Sequence, residues 1–239
     1  MRYIYGPVHS RRLGLSLGVS LTSGKTCDFD CLYCQLGRTT QLTGARGEYA
    51  KIGDILEELK SWLTDNPKEA AALSYVTLAG SGEPTLNTKI GELIAEIKKL
   101  TCVPVAVVTN ASFLGDTAVR ASLFHADLIV PSLDAVVPKV FRALNRPAEN
   151  IKIEDIIEGL IALRKEFQGK IWLEVMLVRG VNDDMRYIKK LKEAVERINP
   201  DKIQLNSPVR STAEENILPV DGNKLKKIKE IFGEKTEII

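Results

Sequence analysis

The sequence predicts an α/β fold, a partial, open parallel β/α barrel of six units, and three observations carry that prediction. Six short, largely apolar runs, at 15–21, 75–79, 103–108, 126–131, 171–178 and 202–205, alternate with stretches of helical periodicity. Largely apolar strands joined by helices imply a parallel sheet with helices covering its outer face. A closed barrel needs eight units and about 250 residues. Six units leave the barrel open.

Length and composition set the outer bounds. A chain of 239 residues, 44% of them hydrophobic, buries a substantial core within the usual size of one α/β domain. The expectation is a single domain over 1–239, with an N-terminal segment at 1–14 and a cysteine-bearing loop at 22–47. With 33 basic and 31 acidic side chains the net charge is +2, which gives no bulk attraction to nucleic acid or to an anionic membrane. No apolar run approaches the ~18 residues of a transmembrane helix, no signal-peptide pattern leads the chain, and no repeats occur. A soluble, cytoplasmic protein is expected.

In chain order, the strand at 15–21 delivers the cysteine loop, and a helix follows at 54–63. Ile90, Leu93, Ile94 and Ile97 share one helix face, as do Ile153, Ile156, Ile157, Leu160 and Ile161. Further helices are expected at 115–124, 187–198 and 222–232. Right-handed crossovers curl such a sheet toward a barrel. Sites in parallel α/β folds form at the carboxyl ends of strands. The linkers differ accordingly. Those after helices are plain turns, Asn66-Pro67, Gly169 and Asn199-Pro200, whereas those after strands hold Gly80-Ser81-Gly82-Glu83, Asn110, Ser132 with Asp134, Arg179 to Asp183 and Asn206 to Arg210.

Three of the four cysteines, Cys27, Cys31 and Cys34, lie on the same rim, in the loop after the first strand, with C-x3-C-x2-C spacing. On a loop, that spacing lets three thiolates converge on one soft metal centre. A cubane iron-sulfur cluster wants four ligands, so three cysteines leave one iron open to a non-protein ligand. Structural zinc would need a fourth Cys or His, and Cys102, His9 and His125 are remote. Positions 27, 31 and 34 would also share a helix face, but Asp28 and Asp30 within the run and Gly24 and Gly37 around it favour a loop. A disulfide is disfavoured without a secretory signal.

The triplet, with the aromatic Tyr33 before its last cysteine, resembles the radical S-adenosylmethionine (SAM) superfamily. The flanks Tyr5-Gly-Pro-Val, Ser10-Arg-Arg-Leu-Gly, Ser16-Leu-Gly-Val and Cys34-Gln-Leu-Gly-Arg resemble the branch of the wyosine-type tRNA-base synthases and their short relatives. The resemblance spans essentially the whole chain and implies the same open-barrel core. It implies a [4Fe-4S] cluster on Cys27, Cys31 and Cys34, with SAM chelating the fourth iron. Reductive cleavage of SAM would then give methionine and a 5′-deoxyadenosyl radical that abstracts hydrogen from a substrate. An electron donor of ferredoxin or flavodoxin type is implied. Gly80 to Glu83 looks like the superfamily's glycine-glycine-glutamate motif, with Ser81 in place of the first of those two glycines; Ser81, Gly82 and Glu83 would hold the methionyl amino group. Its glycines permit close backbone approach, and Glu83 can pair with an ammonium. By the same resemblance Ser132, Asp134 and Asn110 would meet the ribose, and the Tyr33 backbone the adenine. Residues at strand ends are also common turn formers and caps.

The remaining candidates carry weaker signals. Glu174, within the apolar fifth run, is either a buried carboxylate in the lumen or a structural partner of an arginine. Leu177, Val178 and Val181 could supply an apolar wall. Cys102 is expected to be a small buried hydrophobe, and His9 and His125 to be structural. Arg11, Arg12, Arg38, Arg46, Arg142, Arg146, Arg179 and Arg210 fall in or beside rim loops, where they would either bind an anionic small-molecule substrate or pair with rim acids. Two rival functions stand beside a small-molecule radical SAM enzyme. One is wyosine-type modification of tRNA, which by resemblance uses three further cysteines upstream of the triplet, whereas here only Cys102 is left over. The other is a non-catalytic zinc or iron-sulfur binding module.

Overall fold

A computed structural model describes residues 2–22 and 24–239. Residues 1 and 23, within the expected N-terminal segment and cysteine loop, lie outside the described residues. The first half of the chain gives β1 (Ile4–Ser10), β2 (Gly14–Val19), the short β3 (Thr26–Cys27) and β4 (Gln41–Leu42), α1 (Ile52–Asp65), α2 (Pro67–Ala72), β5 (Tyr75–Leu78), α3 (Ile90–Leu100) and β6 (Val105–Thr109). The second half gives α4 (Thr117–Ser122), β7 (Leu128–Pro131), α5 (Pro138–Asn145), α6 (Ile153–Glu166), β8 (Lys170–Met176), α7 (Met185–Ile198), β9 (Lys202–Asn206), α8 (Gly222–Phe232) and β10 (Thr236–Ile238).

One sheet runs in the order β1-β2-β5-β6-β7-β8-β9-β10. Its six inner strands, β2 to β9, are the six runs read from the sequence, and all pair in parallel. The outer two were not expected. Residues 4–10 pair antiparallel with β2, from Ile4 opposite Val19 to Ser10 opposite Gly14. The register is irregular between Tyr5 and Val8, where Pro7 lacks an N–H to donate; an edge strand tolerates that. At the other edge, Thr236–Ile238 adds in parallel to β9. Among the described residues β1 and β10 do not pair, so the barrel is open.

The helices cover the outer face through the predicted stripes. Ile90, Leu93, Ile94 and Ile97 of α3 are fully buried, and α6 buries Ile153, Ile156, Ile157, Leu160 and Leu163. Each such side chain contributes about 1.5–3 kcal/mol when taken from water. Asp116, Asp184 and Asp221 cap α4, α7 and α8, each accepting from a backbone N–H two residues on.

The alternation along β2 and β5 makes the interior hollow. Leu17, Val19, Val76 and Leu78 face the helices and are fully buried, while Ser16, Gly18, Thr77 and Ala79 face the lumen and line a cavity. Further along the sheet the lumen is filled. Leu13, Ala106, Leu128 and Val130 form a separate apolar cluster with Tyr75, Val108 and Trp172 against it, which closes the floor.

Candidate active site

The cysteine loop is fixed by backbone bonds at both ends. β3 and β4 pair in parallel, and the Thr43 N–H donates to the Cys27 carbonyl at 3.0 Å. The C-terminal end of α5 holds the middle: the N–H groups of Leu32 and Asp30 donate to the carbonyls of Leu144 and Asn145 at 3.0 and 3.1 Å. Those carbonyls have no partner within the helix, so the loop satisfies them. The Ala148 N–H reaches the Asp28 carbonyl at 2.7 Å, and the rings of Phe29 and Phe141 meet edge-on with centroids 5.5 Å apart. The Asp30 carboxylate is held by Arg38 at 2.8 Å and Arg146 at 3.4 Å, and both arginines continue to Glu214 at 2.6 and 2.7 Å.

Cys27, Cys31 and Cys34 line one cavity of about 580 Å3 together with Gly80, Ser81, Gly82, Glu83, Asn110 and Ser132. That volume suits a small-molecule cofactor. The N–H of Phe29 points at the Cys27 sulfur at 3.5 Å, and Nδ2 of Asn145 points at the Cys31 sulfur at 3.5 Å. Burial pushes the Cys31 thiol up to about 12, with Asp134 adding to it, and burial beside Asp28 and Glu83 pushes Cys27 well up.

The Gly80–Glu83 loop folds tightly against the start of the cysteine loop. Gly80 has φ +116°, and a Cβ there would stand 2.9 Å from that of Ser20. A Cβ on Gly82 would stand 1.6 Å from the Thr26 carbonyl oxygen, so no side chain fits there. Glu83 is 3% exposed, and four donors meet its carboxylate. Oε1 accepts from the Thr85 N–H at 3.0 Å and from the hydroxyls of Thr85 and Thr109 at 2.6 Å each. Oε2 accepts from the Asn110 N–H at 2.7 Å and retains a lone pair. Burial, reinforced by Asp28, pushes Glu83 up to about 7 despite these donors.

Asp134 is buried behind the cysteines and does not line the 580 Å3 cavity, where a ribose partner was expected. Its Oδ1 accepts from the Met176 N–H at 2.9 Å, and its Oδ2 accepts from Nδ2 of Asn145 at 2.8 Å and from the Tyr33 hydroxyl. Burial pushes its carboxyl up to about 6. Ser132 and Asn110 do reach the cavity, whereas Tyr33, expected against the adenine, lines smaller cavities beside it. Leu177 and Val178 are buried and, with Val181, stand away from it, so they form no wall for it. Cys102 is exposed, contrary to expectation, because the turn between α3 and β6 carries it past the core.

Glu174 points into the lumen, where Arg12 and Nδ2 of Asn206 meet it at 2.5 and 2.9 Å. Arg12 and Asn206 had not stood out as its partners, because each is far away in sequence. Asp28, fully buried, binds Nδ2 of Asn110 at 2.6 Å through Oδ1, while its Oδ2 has no partner among the described residues. Its position beside Cys27 was the one available signal. Asn145 offered none.

This donor set fits a [4Fe-4S] cluster and SAM. Structural zinc closes with a fourth Cys or His, and the described residues lining this cavity include no Cys beyond the triplet and no His. Three cysteines facing one roomy cavity suit a cluster in which each thiolate takes its own iron. At Gly82 the backbone leaves no room for a side chain, and Oε2 of Glu83 keeps a lone pair for one further donor.

Comparison with known proteins places the chain. The pattern of the Radical SAM superfamily matches residues 21–192. A UPF0026 protein of Methanocaldococcus jannaschii is 33% identical over 98% of this chain and 72% of its own length. A Brachyspira hyodysenteriae protein named GTPase Obg is 38% identical over 96% of this chain, which spans only 33% of that protein. Among solved structures, TYW1 with a lysine-pyruvate adduct bound superposes with TM-score 0.67 at 21% identity, covering 91% of this chain and 72% of that one. No helix among the described residues is long and apolar enough to cross a membrane. With the cysteine triplet and the Gly80–Glu83 loop facing one cavity of an open β/α barrel, the chain belongs to the radical SAM superfamily and, within it, to the UPF0026 proteins.

Proposed function

We propose that this radical SAM enzyme uses its [4Fe-4S] cluster and SAM to abstract hydrogen from a small anionic substrate. One observation carries the reading: the three cysteines and the Gly80–Glu83 loop, distant in sequence, line one cavity. When bound, cluster and SAM supply one-electron cleavage of a sulfonium carbon–sulfur bond and, from it, hydrogen-atom abstraction. Cys27, Cys31 and Cys34 hold three of the irons. The backbone of Gly80 to Gly82, the Ser81 hydroxyl and Oε2 of Glu83 receive the methionyl end. Asn110 and Ser132 receive the ribose, and the Tyr33 backbone the adenine. Asp134 acts through Tyr33 and Asn145 rather than on the ribose itself. Burial raises the Cys27 and Cys31 thiols, and both would give up their protons on binding iron, so loading should grow easier as pH rises. A ferredoxin or flavodoxin supplies the electron.

Anaerobic reconstitution tests the reading. About four irons and four sulfides should load per chain, and Cys27→Ala, Cys31→Ala or Cys34→Ala should abolish loading while Cys102→Ala leaves it intact. The reduced protein should cleave SAM slowly to 5′-deoxyadenosine. Glu83→Ala should weaken SAM binding and retain iron. Stoichiometric zinc, or a need for Cys102, would overturn the assignment.

A further inference from the structure

The lumen wall made by β1 and β2 carries none of the residues assigned to cluster or SAM, and the flanking motifs Tyr5-Gly-Pro-Val and Ser16-Leu-Gly-Val meet there. Tyr5, Gly18 and Thr77 stand in one row across β1, β2 and β5, Tyr5 opposite Gly18 and Gly18 opposite Thr77. All three line the 580 Å3 cavity. A Cβ on Gly18 would stand 2.0 Å from Cζ of Tyr5 and 2.3 and 2.4 Å from its two Cε atoms. Near-equal distances to both Cε atoms, with Cζ closest, belong to a point over the face of the ring and not beside its edge. The ring therefore lies flat on the β2 backbone, an approach that only glycine allows.

One face of the ring is thus covered and the other is free. Tyr5 stays 39% exposed while lining the cavity, so its second face looks into the lumen. Its hydroxyl has no hydrogen-bond partner among the described residues; burial pushes the phenol up, and the nearby Arg12 charge draws it part of the way back. Beside the ring, the buried hydroxyls of Ser16 and Thr77 bond to each other at the cavity wall. The pair has two hydrogens and uses one between them, so one O–H remains for a ligand.

This wall stands apart from the places given to the rings of SAM. In the order β1-β2-β5-β6-β7, β1 is four places from β7, roughly 19 Å along the sheet, and Ser132, given to the ribose, follows β7. Tyr33, given to the adenine, lies beside Asp134 and Asn145, also beyond β7. A free aromatic face with hydrogen-bonding groups beside it suits a planar unsaturated ring, which stacks on it with an offset. Aromatic faces attract cations as well, but the Arg12 charge repels one here.

We propose that Tyr5 is a specificity-determining residue of the substrate site: its free face stacks on an aromatic or heteroaromatic ring of the substrate, while the Ser16–Thr77 pair hydrogen-bonds the edge of that ring. The inference rests on the radical SAM reading above for what fills the cysteine end of the cavity, and it adds a planar ring to the anionic substrate of that reading. Gly18 is a positioning residue, since it seats Tyr5.

Matched probe pairs test this by calorimetry on the full reconstituted chain with saturating SAM: benzoate against cyclohexanecarboxylate, and uridine 5′-monophosphate against ribose 5-phosphate. Each pair shares its anionic group and differs in the planar ring. In at least one pair the planar member should bind about tenfold tighter, the size of a stacking gain. Tyr5→Leu should erase that preference and Tyr5→Phe should keep it. Phe124→Leu, which removes an exposed ring outside the cavity, should leave it unchanged. An aromatic laid over a strand glycine also braces a sheet, so the quantity read is the affinity ratio within a pair and not stability. Labelling the six tyrosines with 3-fluorotyrosine gives a second measurement that does not need Tyr5→Leu to fold. The fluorine resonance missing from Tyr5→Phe should shift with the planar member of the pair and not with the other. No preference in either pair, a preference that survives Tyr5→Leu, or a Tyr5 resonance indifferent to the planar probe would overturn the assignment. So would an equal loss of SAM affinity in Tyr5→Leu, since that would give the ring face to the adenine of the cofactor. Iron loading and SAM cleavage without a ring preference would refute this inference alone, and a Tyr5-dependent preference in a chain that takes up no iron would refute only the cofactor reading.

Discussion

Asn145 shows how much of the site depends on one neutral side chain. Its Nδ2 lies 2.8 Å from Asp134 Oδ2, 3.4 Å from the Tyr33 hydroxyl oxygen and 3.5 Å from the Cys31 sulfur, and its backbone carbonyl accepts from Asp30. Asn145→Ala keeps the backbone bond and removes the amide. Left short of a donor, buried Asp134 should cost about 1–3 kcal/mol in chemical denaturation of the iron-free chain. An N–H aimed at a cluster sulfur favours the reduced state, so the loaded variant should show a more negative midpoint potential in a spectroelectrochemical titration. An unchanged potential would limit Asn145 to a structural part. The cysteines were legible because their meaning lies in local spacing. Asn145 was not, because it stands 114 residues from Cys31 and nothing around it marks the contact.

At the scale of elements, α5 is the helix that the sequence concealed and the cysteine loop needs. It is eight residues long and opens on Pro138, so it offers a periodic pattern barely two turns long, too short to read as a helix from spacing alone. Its terminal carbonyls nonetheless anchor Asp30 and Leu32, and its Phe141 packs on Phe29. Phe141→Ala should cost about 3–5 kcal/mol in a denaturant titration and should speed the loss of iron to a chelator. Destabilisation with no change in iron release would mean that the backbone bonds alone hold the loop. β1 was concealed for a different reason. Gly6 and Pro7 break its pattern, and only its place at the sheet edge makes them tolerable. The longer stripes of α3 and α6 had no such interruption and were read directly from their spacing.

Across the whole molecule, buried carboxylates give stability an unusual dependence on pH. Glu83 is raised from 4.5 to about 7 in the folded chain and Asp134 from 3.8 to about 6, both chiefly by burial. The folded state therefore binds more protons than the unfolded state between those values, and their contribution falls as pH rises. For Glu83 it is fully present below about 4.5 and lost by about 7. Urea titrations of the iron-free chain should show the deficit of Glu83→Gln relative to wild type largest near pH 4.5 and shrinking toward pH 7. A deficit that grew with pH would mean that the four donors outweigh burial and hold Glu83 ionised.

The two faces of β2 and β5 carry different burdens, and the register of the sheet is what assigns them. Stability rests on Leu17, Val19, Val76 and Leu78, whereas the space for a ligand depends on the smallness of Ser16, Gly18, Thr77 and Ala79. Ala79→Leu should accordingly lower SAM affinity in calorimetry while moving the unfolding midpoint little; loss of both together would place Ala79 in the core. A slip of β5 by one residue would exchange the two sets and turn Val76 and Leu78 inward. The same pairing that makes the sheet thus keeps the chamber empty, so strand register acts here as a determinant of ligand capacity.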